Sequence, residues 1–327
     1  MVKQGNRDVL AVGVDVGGTK ISAGLVDEAG HVNRTLQIPT SSASVVEETI
    51  IRLVGELLVT AGSVPVGVSV AGFVDREGMG LTFAPNIPGW TNPKLRDSLS
   101  VQLGCPVTIE NDANAATWGE AAFGAGTDAA DLVCLTIGTG LGGGLIVGGE
   151  LQRGAWGFAA EYGHMVLIPD GRRCACGQFG CWEQYVSGRA LVREAAQLAS
   201  KDLRSSSKLL RSRDSTSDPL TGPEVTQAAQ IGDVAALGAF RIVGTYLGQG
   251  LARLVAIVDP ARFVIGGGVS QAKELLLEPA RSAFKSALPG QRYRPLPAIE
   301  FAQLGVSAGI IGVADLARRA AHTSDVR

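Results

Sequence analysis

The chain has 327 residues, with 29 Lys and Arg against 31 Asp and Glu and a net charge of −2. That balance leaves no basic footprint for nucleic acid, and no apolar run is long enough to span a bilayer. The length accommodates two domains, each with a sizeable core. Five Cys, an odd number, and no apolar signal core before Val9 suggest a reducing, cytoplasmic setting and no disulfide framework.

In chain order, a β-rich run over Val9–Val16 empties into Asp15-Val16-Gly17-Gly18-Thr19-Lys20. Runs at Ile21–Val26 and His31–Ile38 follow across the turn Asp27-Glu28-Ala29-Gly30. Strand, Gly turn and strand is not the strand–loop–helix order of a P-loop or dinucleotide fold. Helical spacing of Val45, Val46, Ile50, Leu53, Val54, Leu57 and Leu58 predicts a helix over Ser44–Ala61. A buried parallel strand is expected at Val64–Val70 and a helix at Asn92–Leu103, stopped by Gly104 and Pro106. Val107–Glu110 is a strand that delivers Asn111-Asp112 to a helix running to about Phe123. Asp131–Ile137 opens a second copy of the first pattern: strand, the Gly-rich turn Gly138–Gly144, strand Leu145–Val147. Helices are predicted at Ser187–Ala199, Glu224–Ala236, Phe240–Val258 and about Ala308–Ala320, with a strand at Arg262–Ile265 entering Gly266-Gly267-Gly268. The Ser-rich stretch Ser205–Ser217 is expected to be a surface loop. The repeated grammar predicts an α/β protein of two similar lobes around a cleft.

The densest chemistry lies between His164 and Glu183. One imidazole and three thiols, Cys174, Cys176 and Cys181, make a complete ligand set for a tetrahedral Zn²⁺ and leave no place for water, the mark of a structural site. Cys105 and Cys134 sit in apolar surroundings and are read as packing residues. The Gly turns at 17–18, 138–144 and 266–268 let backbone N–H groups face anionic oxygens, which points to a nucleotide. Asp15, on the lip of the first turn, is placed to orient hydrated Mg²⁺ or to serve as an Asx turn residue. Asn111-Asp112 can cap a helix, or Asp112 can take the proton of an attacking hydroxyl, or both. Glu161 and Glu183 offer acceptor-only carboxylates that suit vicinal hydroxyls. A metal on one nitrogen of His164 would fix the other as a donor.

Taken together, Asp15-x-Gly17-Gly18-Thr19-Lys20, Glu110-Asn111-Asp112-Ala113-Asn114-Ala115, Gly138-Thr139-Gly140-x-Gly142-Gly143-Gly144, Glu161-x-Gly163-His164 and Cys174-x-Cys176-Gly177-x-x-Gly180-Cys181-x-Glu183 resemble the ROK (repressor, open reading frame, kinase) family over essentially the whole chain. The resemblance implies a two-lobed, actin-like (sugar kinase/hsp70/actin) fold with an interlobe cleft. It implies a small lobe at residues 1–111 joined by a final helix at about 308–327, and a larger lobe at 112–307 carrying the zinc loop. It implies transfer of phosphate from ATP-Mg²⁺ to the 6-hydroxyl of glucose, with Asp112 as base. Asn111, Glu161, His164 and Glu183 would hold the other hydroxyls, beside Gly72 and Asn86. The turns over Gly17, Gly18, Thr19 and Lys20 and over Gly138, Thr139 and Gly140 would hold phosphates, with Gly266, Gly267 and Gly268 at the adenosine. His164, Cys174, Cys176 and Cys181 would hold zinc, and a homodimer or homotetramer is expected.

Within the family, a kinase for N-acetylmannosamine, fructose or allose, or one using polyphosphate, is the near alternative. A sugar-responsive repressor is the distant one, because only eight residues precede the first predicted strand and a helix-turn-helix needs more.

Overall fold

Every residue of Ala11–Val16 (β1) except Asp15 is buried, so the strand must be covered on both faces. The computed structural model, which describes residues 10–201 and 219–324, shows how. β1 pairs antiparallel with Lys20–Val26 (β2), which pairs with Val32–Pro39 (β3). On its other edge β1 runs parallel to Val66–Val70 (β4), itself parallel to Val107–Asn111 (β7). The sheet order is β3-β2-β1-β4-β7. Ile50, Leu53, Val54 and Leu57 of the helix Val46–Ala61 (α1) share one core cluster with Val12, Val14, Val66 and Val68. Ile310, Ile311 and Ala314 of the last helix, Ala308–Ser324 (α8), share another with Ala11 and Val26.

That last helix lies on the sheet because of two glycines. Gly13 and Gly67 are register partners in β1 and β4, and a Cβ on either would come within 2.0 Å of the carbonyl oxygen of Ile310 or Val313. The close approach brings the backbone of α8 against the strands, a packing that any side chain there would prevent.

The second sheet repeats the order of the first. Leu132–Ile137 (β8), Leu141–Val147 (β9), Glu150–Leu151 (β10), Arg262–Gly266 (β11) and Ala298–Phe301 (β12) stand as β10-β9-β8-β11-β12. Counted from its own first strand, each sheet reads third, second, first, fourth, fifth, so the repeated grammar in the sequence corresponds to repeated topology. A small hairpin, Phe73–Val74 (β5) with Leu81–Phe83 (β6), stands apart from both sheets. The remaining helices are Leu95–Leu103 (α2), Asp112–Phe123 (α3), Gly188–Lys201 (α4), Gly222–Gln230 (α5), Val234–Val258 (α6) and Glu274–Ala287 (α7). The described residues form two compact units. One lies within Met1–Leu132, Gly144–Ala160 and Ala302–Arg327, the other within Val133–Gly143 and Glu161–Phe301.

Three expectations change. The Gly turn is shorter than 138–144, because strand β9 already begins at Leu141. Its glycines serve packing, as at Gly144, where a Cβ would meet the Thr117 hydroxyl at 2.3 Å. The helix expected over Glu224–Ala236 is two. The Thr221–Glu224 capping box starts α5, and Asp233, accepting from the Ala236 N–H at 3.0 Å, caps α6 after the left-handed Gly232. Helix α7, strand β12 and the β5–β6 hairpin add to the elements expected from the sequence. The Ser205–Ser217 loop lies outside the described residues. Among the described residues, no single helix is long and apolar enough to cross a membrane.

Candidate active site and metal centre

In the first unit, the turn after β1 is closed by Gly17 N–H to Lys20 O (3.0 Å) and pinned by Thr40, whose hydroxyl donates to Gly17 O at 2.7 Å. A lone Thr after a strand carries no signal, so the sequence does not point to Thr40. Asp15 lies opposite Ser69 in the β1–β4 register, and the Ser69 hydroxyl donates to its carboxylate at 2.8 Å. Burial pushes the Asp15 carboxyl up, against the lowering effects of Ser69 and the Lys20 charge. Lys20 opens β2 and is exposed, its ammonium 3.4 Å from Gln37 Oε1. Gly18 presses on the loop of Asn86: a Cβ there would lie 2.6 Å from the Asn86 Cβ. The first predicted phosphate turn and the first predicted sugar loop are therefore in contact. That loop is held by Trp90, which donates to Glu47 at 3.3 Å, while Asn92 donates to the same oxygen at 3.0 Å.

At the end of β7 the chain turns into α3. Asn111 is the cap: its Oδ1 accepts from Ala113 N–H (2.9 Å) and Asn114 N–H (3.0 Å). Its amide donates to Gly72 O at 3.0 Å, using one of two amide hydrogens. Asp112 is the first helical residue, so the capping and base roles considered together in the sequence fall on neighbouring side chains. A carboxylate at that position is favoured by the helix dipole. Glu110, immediately before, is buried and receives four donors.

In the second unit, the turn Gly138-Thr139-Gly140 is closed by Gly138 N–H to Gly140 O (3.0 Å), and Gly138 O accepts from Gly188 N–H at 2.7 Å. A Cβ at Gly140 would sit 2.9 Å from Glu183 Oε2, so this turn touches a predicted sugar carboxylate. Gly267 lies against the carbonyl of Ile137 at the end of β8, and Gly268 opens a short 3₁₀ turn. Glu161 precedes the 3₁₀ turn Tyr162–His164. Desolvation pushes its carboxyl up, His164 draws it down, and the Glu183 charge raises it again, as three neighbouring ionisable groups should.

Beyond His164 the chain folds into a knuckle. Leu167 N–H bonds Gly180 O (2.8 Å), Gly180 N–H bonds Arg172 O (2.8 Å) and Cys174 N–H bonds Gln178 O (2.8 Å). Gly177 (φ +93°) and Gly180 (φ +78°) take the left-handed backbone that closes it. The ligand atoms of His164, Cys174, Cys176 and Cys181 all lie within 4.8 Å of one another. Cys176 Sγ is 3.6 Å from Cys181 Sγ, and Cys174 Sγ is 3.7 Å from His164 Nδ1. Tetrahedral Zn²⁺ with its usual bond lengths demands edges of about 3.8 Å between sulfurs and about 3.6 Å between sulfur and nitrogen. The donor set fits the ion. The Cys174 thiol also donates to Glu183 Oε1 at 2.9 Å, which sets this carboxylate directly beside the donor set.

The supports of this knuckle were not legible in the sequence. Arg172 reaches Glu194 of α4 at 2.5 Å and Gln184 O at 3.2 Å, and its N–H meets the Tyr185 hydroxyl at 2.9 Å. Arg253 of α6 donates to Leu167 O at 2.7 Å. Trp182 is fully buried and donates to Tyr246 O at 3.0 Å.

Duplicated sheets, each with a Gly turn after its first strand, and a carboxylate at a strand-to-helix junction define an actin-like α/β protein of the sugar-kinase class. The chain belongs to the ROK family, whose model matches residues 11–320. It is 44% identical over 310 residues to a glucokinase of Streptomyces coelicolor, covering 94% of this chain and 98% of that one. It superposes with a TM-score of 0.85 and 45% identity on a ROK family glucokinase from Streptomyces griseus in complex with glucose and AMPPNP, over 95% of this chain and 99% of that one. The xylose repressor of Bacillus subtilis is 28% identical over 316 residues, 94% of this chain but 76% of the repressor.

Proposed function

We propose that the chain is an ATP-dependent glucokinase that transfers the γ-phosphoryl group of ATP-Mg²⁺ to the 6-hydroxyl of glucose. The observation that carries this reading is the match, at 44% and 45% identity and nearly full length, to two Streptomyces glucokinases, one of them holding glucose and an ATP analogue. The repressor relative is more distant and is matched over a smaller share of its length.

In this reading Asp112 accepts the proton of the 6-hydroxyl as that oxygen bonds to the γ-phosphorus and the bond to the β-phosphate oxygen breaks, leaving ADP. Asn111, Glu161, His164 and Glu183 hold the remaining hydroxyls, with Gly72 and Asn86 alongside. Residues 15–20 and 138–140 cradle phosphates, 266–268 meet the adenosine, and Mg²⁺ enters with ATP as part of the substrate. His164, Cys174, Cys176 and Cys181 would hold Zn²⁺, which would fix the imidazole and the knuckle; with all four positions filled by protein it would act by preorganisation and not by Lewis acidity. A cytoplasmic homodimer or homotetramer completes the reading.

The test is an ADP-release assay over glucose, mannose, N-acetylmannosamine, fructose and allose, run with ATP and, by product detection, with polyphosphate. Glucose with ATP should give the highest kcat/KM. A higher value for another hexose, or for polyphosphate, overturns the assignment.

A further inference from the structure

The Glu110 carboxylate is 3% exposed and divides its two oxygens between two parts of the first unit. Oε1 accepts from Asn111 N–H and from the Asn114 amide, each at 3.0 Å, so it faces the turn that carries Asn111-Asp112. Oε2 accepts Nε and a terminal nitrogen of Arg153, both at 2.7 Å. A buried carboxylate without a counter-charge would carry a large desolvation cost, and Arg153 supplies that counter-charge beside the turn. Arg153 is itself fixed. It begins a strap after β10 that is closed by Ala159 N–H to Arg153 O at 3.1 Å. The strap is laid on the β5–β6 hairpin, where Gly157 packs on the Val74 carbonyl and the Phe158 ring meets Phe73 edge-on at 5.2 Å.

We infer that the Arg153–Glu110 pair is a positioning device for the reaction: through Glu110 it sets the Asn111-Asp112 turn, and so aims the Asp112 carboxylate. This rests on the assignment of Asp112 as base. Neither residue is assigned a contact with substrate, and both act through the turn. The chemistry favours arginine over lysine, because two guanidinium nitrogens converge on one oxygen, a geometry that a single ammonium cannot copy.

The test is a kinetic set on the full-length, zinc-loaded protein: Arg153→Met, Arg153→Lys, Asp112→Asn and the double variant Asp112→Asn/Arg153→Met. A turn misplaced by about an ångström costs up to ~100-fold in rate. Arg153→Met is therefore expected to lose ~10–100-fold in kcat, with the KM for ATP within about twofold of wild type. Arg153→Lys should recover the melting temperature but only part of the turnover. Should Arg153→Met fail to fold, this lysine variant carries the test alone: native melting temperature with reduced kcat supports the proposal, and native kcat defeats it. The double variant should be no slower than Asp112→Asn, because Arg153 acts through the carboxylate already replaced. A folded Arg153→Met with native kcat, or a double variant slower by the full single-variant factor, overturns the positioning role. An Asp112→Asn enzyme that keeps native turnover instead overturns the base assignment, and is read independently of the arginine variants.

Discussion

Cys176→Ser isolates the metal from the packing around it. Cys174 and Cys181 are buried, so replacing them would perturb the core as well as the ligand set, whereas Cys176 is exposed. Its Sγ supplies one of the two short edges that match a zinc tetrahedron, 3.6 Å to Cys181. Partners that merely orient a ligand are worth 10–100-fold in metal affinity, and a direct ligand is worth more. Cys176→Ser should therefore lose its zinc to a mild chelator under conditions where the wild-type protein keeps about one equivalent, the count expected of one closed site. Binding free energy at such a site is folding free energy, so the melting temperature should fall with metal content. The kinetic consequence follows from the chain: His164 is one of the four proposed ligands, and Glu183 lies two residues from Cys181 with its carboxylate 2.9 Å from Cys174 Sγ. A loosened knuckle should raise the KM for glucose by ~10-fold or more, on the scale of a displacement of about an ångström. The KM for ATP should stay within about twofold. Elemental analysis, melting curves and the two KM values are read on the same preparations. Full zinc occupancy in Cys176→Ser, or a zinc-free enzyme with an unchanged KM for glucose, would refute the reasoning.

Asp112→Asn should lower kcat by at least ~100-fold, the lower part of the range for positioned acid–base groups, while calorimetry still detects glucose; retained turnover removes Asp112 from the mechanism. Asp15→Asn should separate stability from activity. Burial raises the Asp15 pKa above its ordinary 3.8, so the stability tied to its neutral form is present in acid and is lost as pH rises through the folded pKa. The amide keeps an acceptor for Ser69, and the variant should be more stable at pH 8 by about 1 kcal/mol yet turn over more slowly. The gain should vanish toward pH 4, and a gain independent of pH rejects burial as its cause. Gly67→Ala places a Cβ 2.0 Å from Val313 O and should cost roughly 3 kcal/mol, lowering the melting temperature by roughly 4–5 °C. An unchanged melting curve would show that α8 can move off the sheet.

The parts of this protein legible in its sequence are those where chemistry and spacing are local. Three cysteines and a histidine within eighteen residues state their ligand geometry on their own, and the structure brings their donor atoms within 4.8 Å. The two strand–turn–strand copies were readable because apolar runs and glycines alternate over short distances, and each sheet takes the same order. What could not be read is whatever depends on a partner far along the chain. Glu110 stands in a recognisable motif, yet nothing near it in sequence points to Arg153, 43 residues on. Ser69 looks like any small strand residue until the parallel register sets it beside Asp15.

The glycines show the same limit from the other side. In the sequence, the runs at 17–18 and 138–144 both signal backbone close to phosphate, and residue type alone cannot separate that use from others. The structure separates them by what a Cβ would strike. At Gly18 and Gly140 it would meet Asn86 and Glu183, side chains that the family resemblance assigns to sugar. At Gly13 and Gly67 it would meet the backbone of α8, and at Gly144 the Thr117 side chain. One residue type therefore does two jobs. It brings the predicted phosphate turns against the predicted sugar residues within each unit, and it lets a helix from the far end of the chain lie on the sheet whose strands carry Asp15 and lead into Asp112. Substitutions of the first kind should register in kinetics, and those of the second in melting temperature first.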